Sequence, residues 1–176
     1  MQWTNHGERP VYESPWVSVL LADVEVPDGP RFDHHLVRVR AAAGTVVNDP
    51  DRGVLLLWRH RFITDTWGWE IPAGGVDVDE PIADAAAREV LEETGWRPGP
   101  LQPLVDWFPS NGLSDQRFHA FVADGATHEG EPSDPTEADR VEWVTVERLR
   151  QIVAAGEMRD GLSLTACCYA LAQGLL

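Results

Sequence analysis

The chain has 176 residues, 43% hydrophobic and 24% charged, proportions typical of a soluble globular domain. At this length folding buries roughly 70% of the surface that the unfolded chain exposes, which excludes disordered and disulfide-stapled classes. The 29 acidic residues outnumber the 14 basic ones to give a net charge of −15, and every basic residue is arginine. The absence of lysine removes phosphate-loop NTPase, Schiff-base and pyridoxal chemistry, and the acidic balance speaks against nucleic acid as a partner.

Residues 11–26 are rich in Val, Tyr and Trp and predict one or two strands. PDGP at 27–30 reads as a turn, 35–47 as strand, NDPDRG at 48–53 as a turn, and Val54 to Trp58 as a buried strand. Pro81 suits the first position of a helix. Ile82, Ala86 and Val90 then form an apolar stripe, with Gly95 as the C-terminal cap, a helix of about 13 residues.

Strands are expected again at 101–108, 117–123 and 141–144, the last after the polar loop GATHEGEPSDPTEAD. Helices from Val146 to Ala155 and from Leu162 to Leu175 close the chain. The adjacent Cys167 and Cys168 have no disulfide or CxxC partner and read as small core residues. The order predicts one α/β domain over 1–176, a mixed sheet sandwiched between helices. Without a signal-like N-terminus or an apolar run of ~18 residues, a cytoplasmic protein with no membrane partner is the expectation.

Between Gly74 and Trp96 the chain reads GGVDVDEPIADAAAREVLEETGW. On a helix, Glu89, Glu92 and Glu93 stand at i, i+3 and i+4 and project from one side, with Arg88 at i, i+4 from Glu92. A bare E-x-x-E-E is commonly a solvated face. In a partly closed site, however, three neighbouring carboxylates must take up protons or cations. Hard divalent cations bound by oxygen ligands would relieve the mutual repulsion of the carboxylates.

The joint spacing decides between these readings. Gly74-x5-Glu80-x7-Arg88-Glu89-Val90-x-Glu92-Glu93-x-Gly95-Trp96 holds seven fixed positions that coincide by chance about once in 10^8 windows. This pattern resembles the box of the Nudix hydrolases, with Trp96 where an aliphatic residue is more usual. The resemblance implies a Nudix fold, with the box at 74–96 and an N-terminal antiparallel strand extension over 1–44 that pairs two subunits into a homodimer.

It further implies Glu89 and Glu93 as principal ligands of Mg2+, with Mn2+ as a substitute, Glu92 assisting and the backbone carbonyl of Ala73 adding a ligand. Arg88 would orient the glutamates. Glu80 reads either as a site residue or as a charge complementing the helix dipole.

Three flanking segments are similar to the ADP-ribose pyrophosphatase branch. They are W-R-H-R at 58–61, W-E-I-P-A-G-G at 69–75 and F-P-S-N-G-L-S-D-Q-R-F-H-A-F at 108–121. Arg59 and Arg61 alternate onto one strand face, and the resemblance assigns Arg61 to a substrate phosphate. Pro109 borders the ligand, while Asn111 stands where the branch has proline, which leaves the nucleoside partner open.

The acidic loop matches the place from which the branch supplies a catalytic base, here Glu137, with Asp139 as substitute. Arg38 and Trp16 are the candidates for holding adenosine, Trp16 either by stacking or by packing in the subunit interface. The implied reaction is hydrolysis of ADP-ribose to AMP and ribose 5-phosphate. Alternatives are another nucleotide sugar, a dinucleotide, a damaged nucleoside triphosphate, or a non-catalytic nucleotide-sensing module. The histidines lack H-E-x-x-H spacing, and there is no G-x-S-x-G elbow.

Overall fold

The computed structural model describes every residue except Pro135. Where the sequence reading places one domain over 1–176, the chain divides into two compact units: Met1–Ala41 with Phe108–Arg117, and Ala42–Trp107 with Phe118–Leu176.

The first unit is an antiparallel sheet of β1 (Thr4–Glu13), β2 (Val17–Glu25) and β3 (Arg31–Val39), in that order. The predicted PDGP turn closes the β2–β3 hairpin, with Val26 N–H donating to the Pro30 carbonyl and Asp28 in the left-handed region that Asp tolerates. The strand predicted over 35–47 is two strands, broken at Arg40–Ala41. Segment 108–117 docks on β3 through Val37, whose N–H donates to Leu113 and whose carbonyl accepts from Asp115.

The second unit carries β4 (Ala42–Asp49), β5 (Gly53–Arg61), β6 (Thr66–Glu70), β7 (Ala73–Gly75), β9 (Leu101–Trp107), β10 (Phe118–Asp124) and β12 (Arg140–Val144) in one mixed sheet. β8 (Trp96–Pro98) and β11 (Ala126–His128) form a small second sheet. The helices are α1 (Ile82–Thr94), α2 (Val146–Ala154) and α3 (Gly161–Ala172).

Alternation along the strands sorts the core. Ala43, Val47 and Leu55 meet Ala85, Ala86 and Val90 of α1. Val46, Val54 and Leu56 meet Leu149 and Ile152 of α2 and Leu162 and Ala166 of α3. The predicted sandwich of a mixed sheet between helices is therefore present.

α1 matches its predicted span, and Gly95 caps it in the left-handed conformation. Pro81 is the capping residue itself rather than the first helical one, because its ψ of 133° is still extended. α3 ends before the predicted Leu175. Cys167 is buried there while Cys168 is exposed, since neighbours on a helix face directions about 100° apart. No helix among the described residues is long and apolar enough to cross a membrane.

One feature of the sheet positions the site. β4 and β5 pair only at their hairpin end, through Asn48–Val54 and Asp49–Gly53. Beyond that they part, β6 taking the edge of β5 and β7 the edge of β4. The chain crosses between them at 71–72, where the Pro72 carbonyl accepts from Thr45 and Ile71 N–H donates to Ser163 Oγ.

Candidate active site

The crossover delivers β7 against the inner side of α1. Ala73 N–H donates to Oε2 of Glu93 at 2.8 Å. Gly74 faces Glu89 so closely that a Cβ there would overlap the Glu89 carboxylate, which accounts for glycine at that position of the box. Glu89 and Glu93, one helical turn apart, thus converge on the same three-residue strand.

Arg88 organises the outer part of the cluster. Its Nη1 donates to Glu89 at 2.7 Å and to Glu92 at 2.9 Å, and its Nε and Nη2 hold Glu80 at 2.8 and 3.0 Å. Glu80 also accepts from Asp77 N–H. It therefore supports Arg88 rather than serving only as a charge beside the helix N-terminus. These bonds, led by the one from Arg88, hold the Glu80 carboxyl down at about 2.

Glu93 is the deepest of the acids, with a side chain only 2% exposed. Burial pushes its carboxyl up to about 8, reinforced by a hydrogen bond with Glu137 and opposed by Arg59 and Ala73 N–H. Burial also raises Glu89, with Arg88 opposing. Burial works against ionisation of Glu137 too, but its bonds to Glu93 and Arg59 outweigh that and hold it below the usual carboxylate range. Two adjacent acids are thus pushed in opposite directions, the pattern of a proton-sharing pair.

The residue that the sequence reading missed is Arg59. Its place beside Arg61 on one strand face gave no sign of burial, yet its side chain is 8% exposed, with Nη1 donating to Glu93 at 2.7 Å and Nη2 to Glu137 at 2.5 Å. The signal available in the sequence was its place on the same strand face as Leu57 and Leu55, two and four residues before it.

Arg61 clamps Glu70 with Nε at 3.0 Å and Nη2 at 2.6 Å. Both line a cavity of about 720 Å³ together with Arg59, Phe62, Thr66 and Arg159. The substitute base Asp139 stands at the sheet edge, its N–H donating to the Trp58 carbonyl. Arg38, Trp16 and Pro109 belong to the first unit. There Arg38 holds Glu8 and Asp115, each at 2.8 Å, Trp16 lies under the Arg40 guanidinium at 5.1 Å, and Pro109 is exposed in segment 108–117.

The donor set is all oxygen and anionic, which fits a hard divalent cation. Among the described residues no three His, Cys, Asp or Glu side chains meet as a ready-made cage. Arg88 draws Glu89 and Glu92, while Arg59 draws Glu93, so a cation must compete with both guanidiniums for these oxygens.

Comparison with known proteins gives the family. Residues 38–163 match the NUDIX domain and residues 3–37 the nucleoside diphosphate sugar hydrolase N-terminal domain. The chain is 42% identical over 89% of its length, and 76% of the relative's, to a CMP-5'-(N-acetyl-N-hydroxy-3-aminopropyl)phosphonate hydrolase of Streptomyces rubellomurinus. It is 29% identical over 80% of its length, and 70% of the relative's, to an ADP-ribose pyrophosphatase of Mycobacterium tuberculosis. For an ADP-ribose pyrophosphatase of Bacillus subtilis the figures are 25%, 93% and 89%.

In fold it resembles the crystal structure of an ADP compounds hydrolase, with a TM-score of 0.83 at 18% identity, over 100% of this chain and 98% of that one. Nudix hydrolases generally need divalent metal ions, as the acid cluster anticipates. With the box intact and Glu89 and Glu93 converging on β7, the chain belongs to the Nudix family, as a pyrophosphohydrolase of nucleoside diphosphate derivatives.

Proposed function

We propose that the protein hydrolyses ADP-ribose to AMP and ribose 5-phosphate with Mg2+ as its metal. The observation that carries the reading is the convergence of Glu89 and Glu93 on β7, with Ala73 N–H and the Gly74 approach setting their places. Glu89 and Glu93 would hold Mg2+, assisted by Glu92 and the Ala73 carbonyl, with Arg88 keeping the carboxylates apart and aimed. When bound, the metal neutralises phosphate charge and lowers the pKa of an attacking water. Glu137, ionised beside Arg59, takes the proton of that water, and Arg61 meets a phosphate of the substrate. One water adds across the P–O–P bridge and both products leave as phosphate monoesters.

The relatives named ADP-ribose pyrophosphatase support this substrate. A second reading, a CMP-linked phosphonate, is favoured by the 42% identity to the Streptomyces rubellomurinus hydrolase. Arg38, Trp16 and Pro109 are assigned in either case to the nucleoside side of the ligand, and the chain is read as a homodimer through its N-terminal strands.

The test is a panel of ADP-ribose, other nucleotide sugars, dinucleotides, nucleoside triphosphates and a CMP-linked phosphonate, incubated with Mg2+ and resolved by chromatography. ADP-ribose is expected to give AMP and ribose 5-phosphate at the highest kcat/KM. Turnover confined to the CMP-linked compound replaces it with the second reading, and turnover confined to triphosphates removes both.

A further inference from the structure

Arg59 combines features that a surface or core arginine does not. It is buried in β5, its two terminal nitrogens are divided between carboxylates from different elements, and its buried Nε has no acceptor among the described residues. Glu93 comes from α1, whereas Glu137 comes from the polar segment that precedes β12. Glu93 and Glu137 also share a hydrogen bond, but the Glu137 side chain is 41% exposed, and that single bond leaves its carboxylate free to turn.

The backbone of the Glu137 segment has its own anchors. Asp134 N–H donates to the Glu92 carbonyl and Asp139 N–H to the Trp58 carbonyl. The main chain is therefore placed without Arg59, and what Arg59 adds is the direction of the Glu137 carboxylate. A planar guanidinium offers donors in a rigid fork, so two carboxylates bound to its two ends are held at a fixed separation and angle. Lysine, with one charged nitrogen on a flexible stem, cannot impose that geometry.

Leaving Nε unpartnered in a buried place is costly for stability. Replacing a buried ion pair by apolar residues of similar volume is often neutral or stabilising. Stability is thus a weak reason for an arginine at this position, and geometry is the stronger one.

We propose that Arg59 is a positioning residue that fixes the Glu137 carboxylate against Glu93 and thereby presents both acids to one reacting centre. This rests on the hydrolytic reading above, in which Glu137 handles the proton of the attacking water. Arg59 lines the cavity beside Arg61, but in this scheme Arg61 meets the substrate phosphate and the terminal nitrogens of Arg59 are engaged by the two acids. It acts through the orientation of the two acids, and its loss therefore lowers turnover without weakening substrate binding.

Two measurements test it. The first is a double-mutant cycle in kcat with Arg59→Met, Glu137→Gln and the pair, with KM followed throughout. Arg59→Met is expected to lower kcat ~30-fold or more with KM within ~3-fold, and Glu137→Gln in that background to cost less than ~3-fold further, since both changes remove the same arrangement. Arg59→Lys is expected to recover only part of the loss. If the two losses multiply, or if Arg59→Lys restores full turnover, the proposal is overturned.

The second measurement needs no substrate: the crystal structure of Arg59→Met, or of Arg59→Lys should the first variant not fold. The Glu137 carboxylate is expected to swing away from Glu93 while α1 and the Asp134 and Asp139 backbone bonds stay in place. A carboxylate that keeps its position overturns the proposal. If the wild-type protein hydrolyses no nucleoside diphosphate derivative while Glu137 swings away in the variant, the hydrolytic reading fails and the positioning role of Arg59 stands.

Discussion

The N–H of Ala73 donates to Oε2 of Glu93 across 2.8 Å, joining residues that lie twenty positions apart in the chain. This bond ties the strand that opens the box to the helix that closes it. It also holds one oxygen of Glu93 within the protein, so that the other faces Arg59.

Glu93→Gln keeps the shape of the side chain and the bond from Ala73 while removing a carboxylate from the cation cluster. We expect kcat with Mg2+ to fall by at least ~10^2, the scale of losing metal or acid–base assistance. The melting temperature is expected to fall, because the amide nitrogen that replaces Oε1 meets the Arg59 Nη1 donor and leaves it without its acceptor. Turnover at the wild-type rate would remove Glu93 from the chemistry.

At Gly74 the backbone is not in the left-handed region, so alanine there brings no conformational strain. Its Cβ would instead push aside the Glu89 carboxylate. A displacement on the order of 1 Å at a positioning group can cost ~10^2 in rate, and we expect a loss of that order for Gly74→Ala. Helical circular dichroism should be unchanged. Manganese titration calorimetry should show weaker binding, and an unchanged affinity would argue against Glu89 as a ligand.

Glu80 supplies the pH dependence. Its folded carboxyl lies at about 2 because Arg88, and then Asp77 N–H, bind the ionised form. A lowered folded value means that the pairing contributes stability above the ordinary carboxylate range and loses it as the pH falls through about 2. In a carboxyl-resolved NMR titration Glu80 should stay ionised well below its unfolded range. Arg88→Ala should raise it toward ordinary values, with the Asp77 N–H bond still holding it lower, and also release Glu89 and Glu92, costing ~10- to 100-fold in activity or metal affinity. A normal titration of Glu80 in the wild-type protein would show that the Arg88 bridge does not form in solution.

The first unit carries the prediction about assembly. β1 is exposed along all ten of its residues, with Tyr12 near its end and Trp16 in the connection to β2 also exposed, and exposed aromatic side chains are enriched at protein interfaces. Sedimentation velocity is expected to give twice the chain mass of 19.5 kDa. Tyr12→Glu with Trp16→Glu should weaken the dimer at least ~10-fold by placing charge in an apolar interface. A monomer at every concentration tested would contradict the homodimer.

The box helix was legible from the chain alone because everything it needs is local. The stripe of Ile82, Ala86 and Val90, the glycine cap and the i, i+4 relation of Arg88 to Glu92 depend on helical periodicity, which spacing records directly. The mixed sheet between helices followed from the succession of strand-like and helical segments, whereas the pairing order of the strands did not. Identity of Glu93 as the deepest acid did not, since periodicity placed it with Glu89 and Glu92 on one side without ranking their burial.

What only the tertiary structure decided is which distant residues meet. Arg59 and Glu137 are 78 positions apart, and no pattern in either segment names the other. Their meeting depends on the fork between β4 and β5, the crossover at 71–72 and the path of the segment before β12. Local spacing specifies which groups share a face of one element. Which faces then close on each other is set by packing of the whole core, and it is that closure which buries Arg59, raises Glu93 and leaves Glu137 ionised.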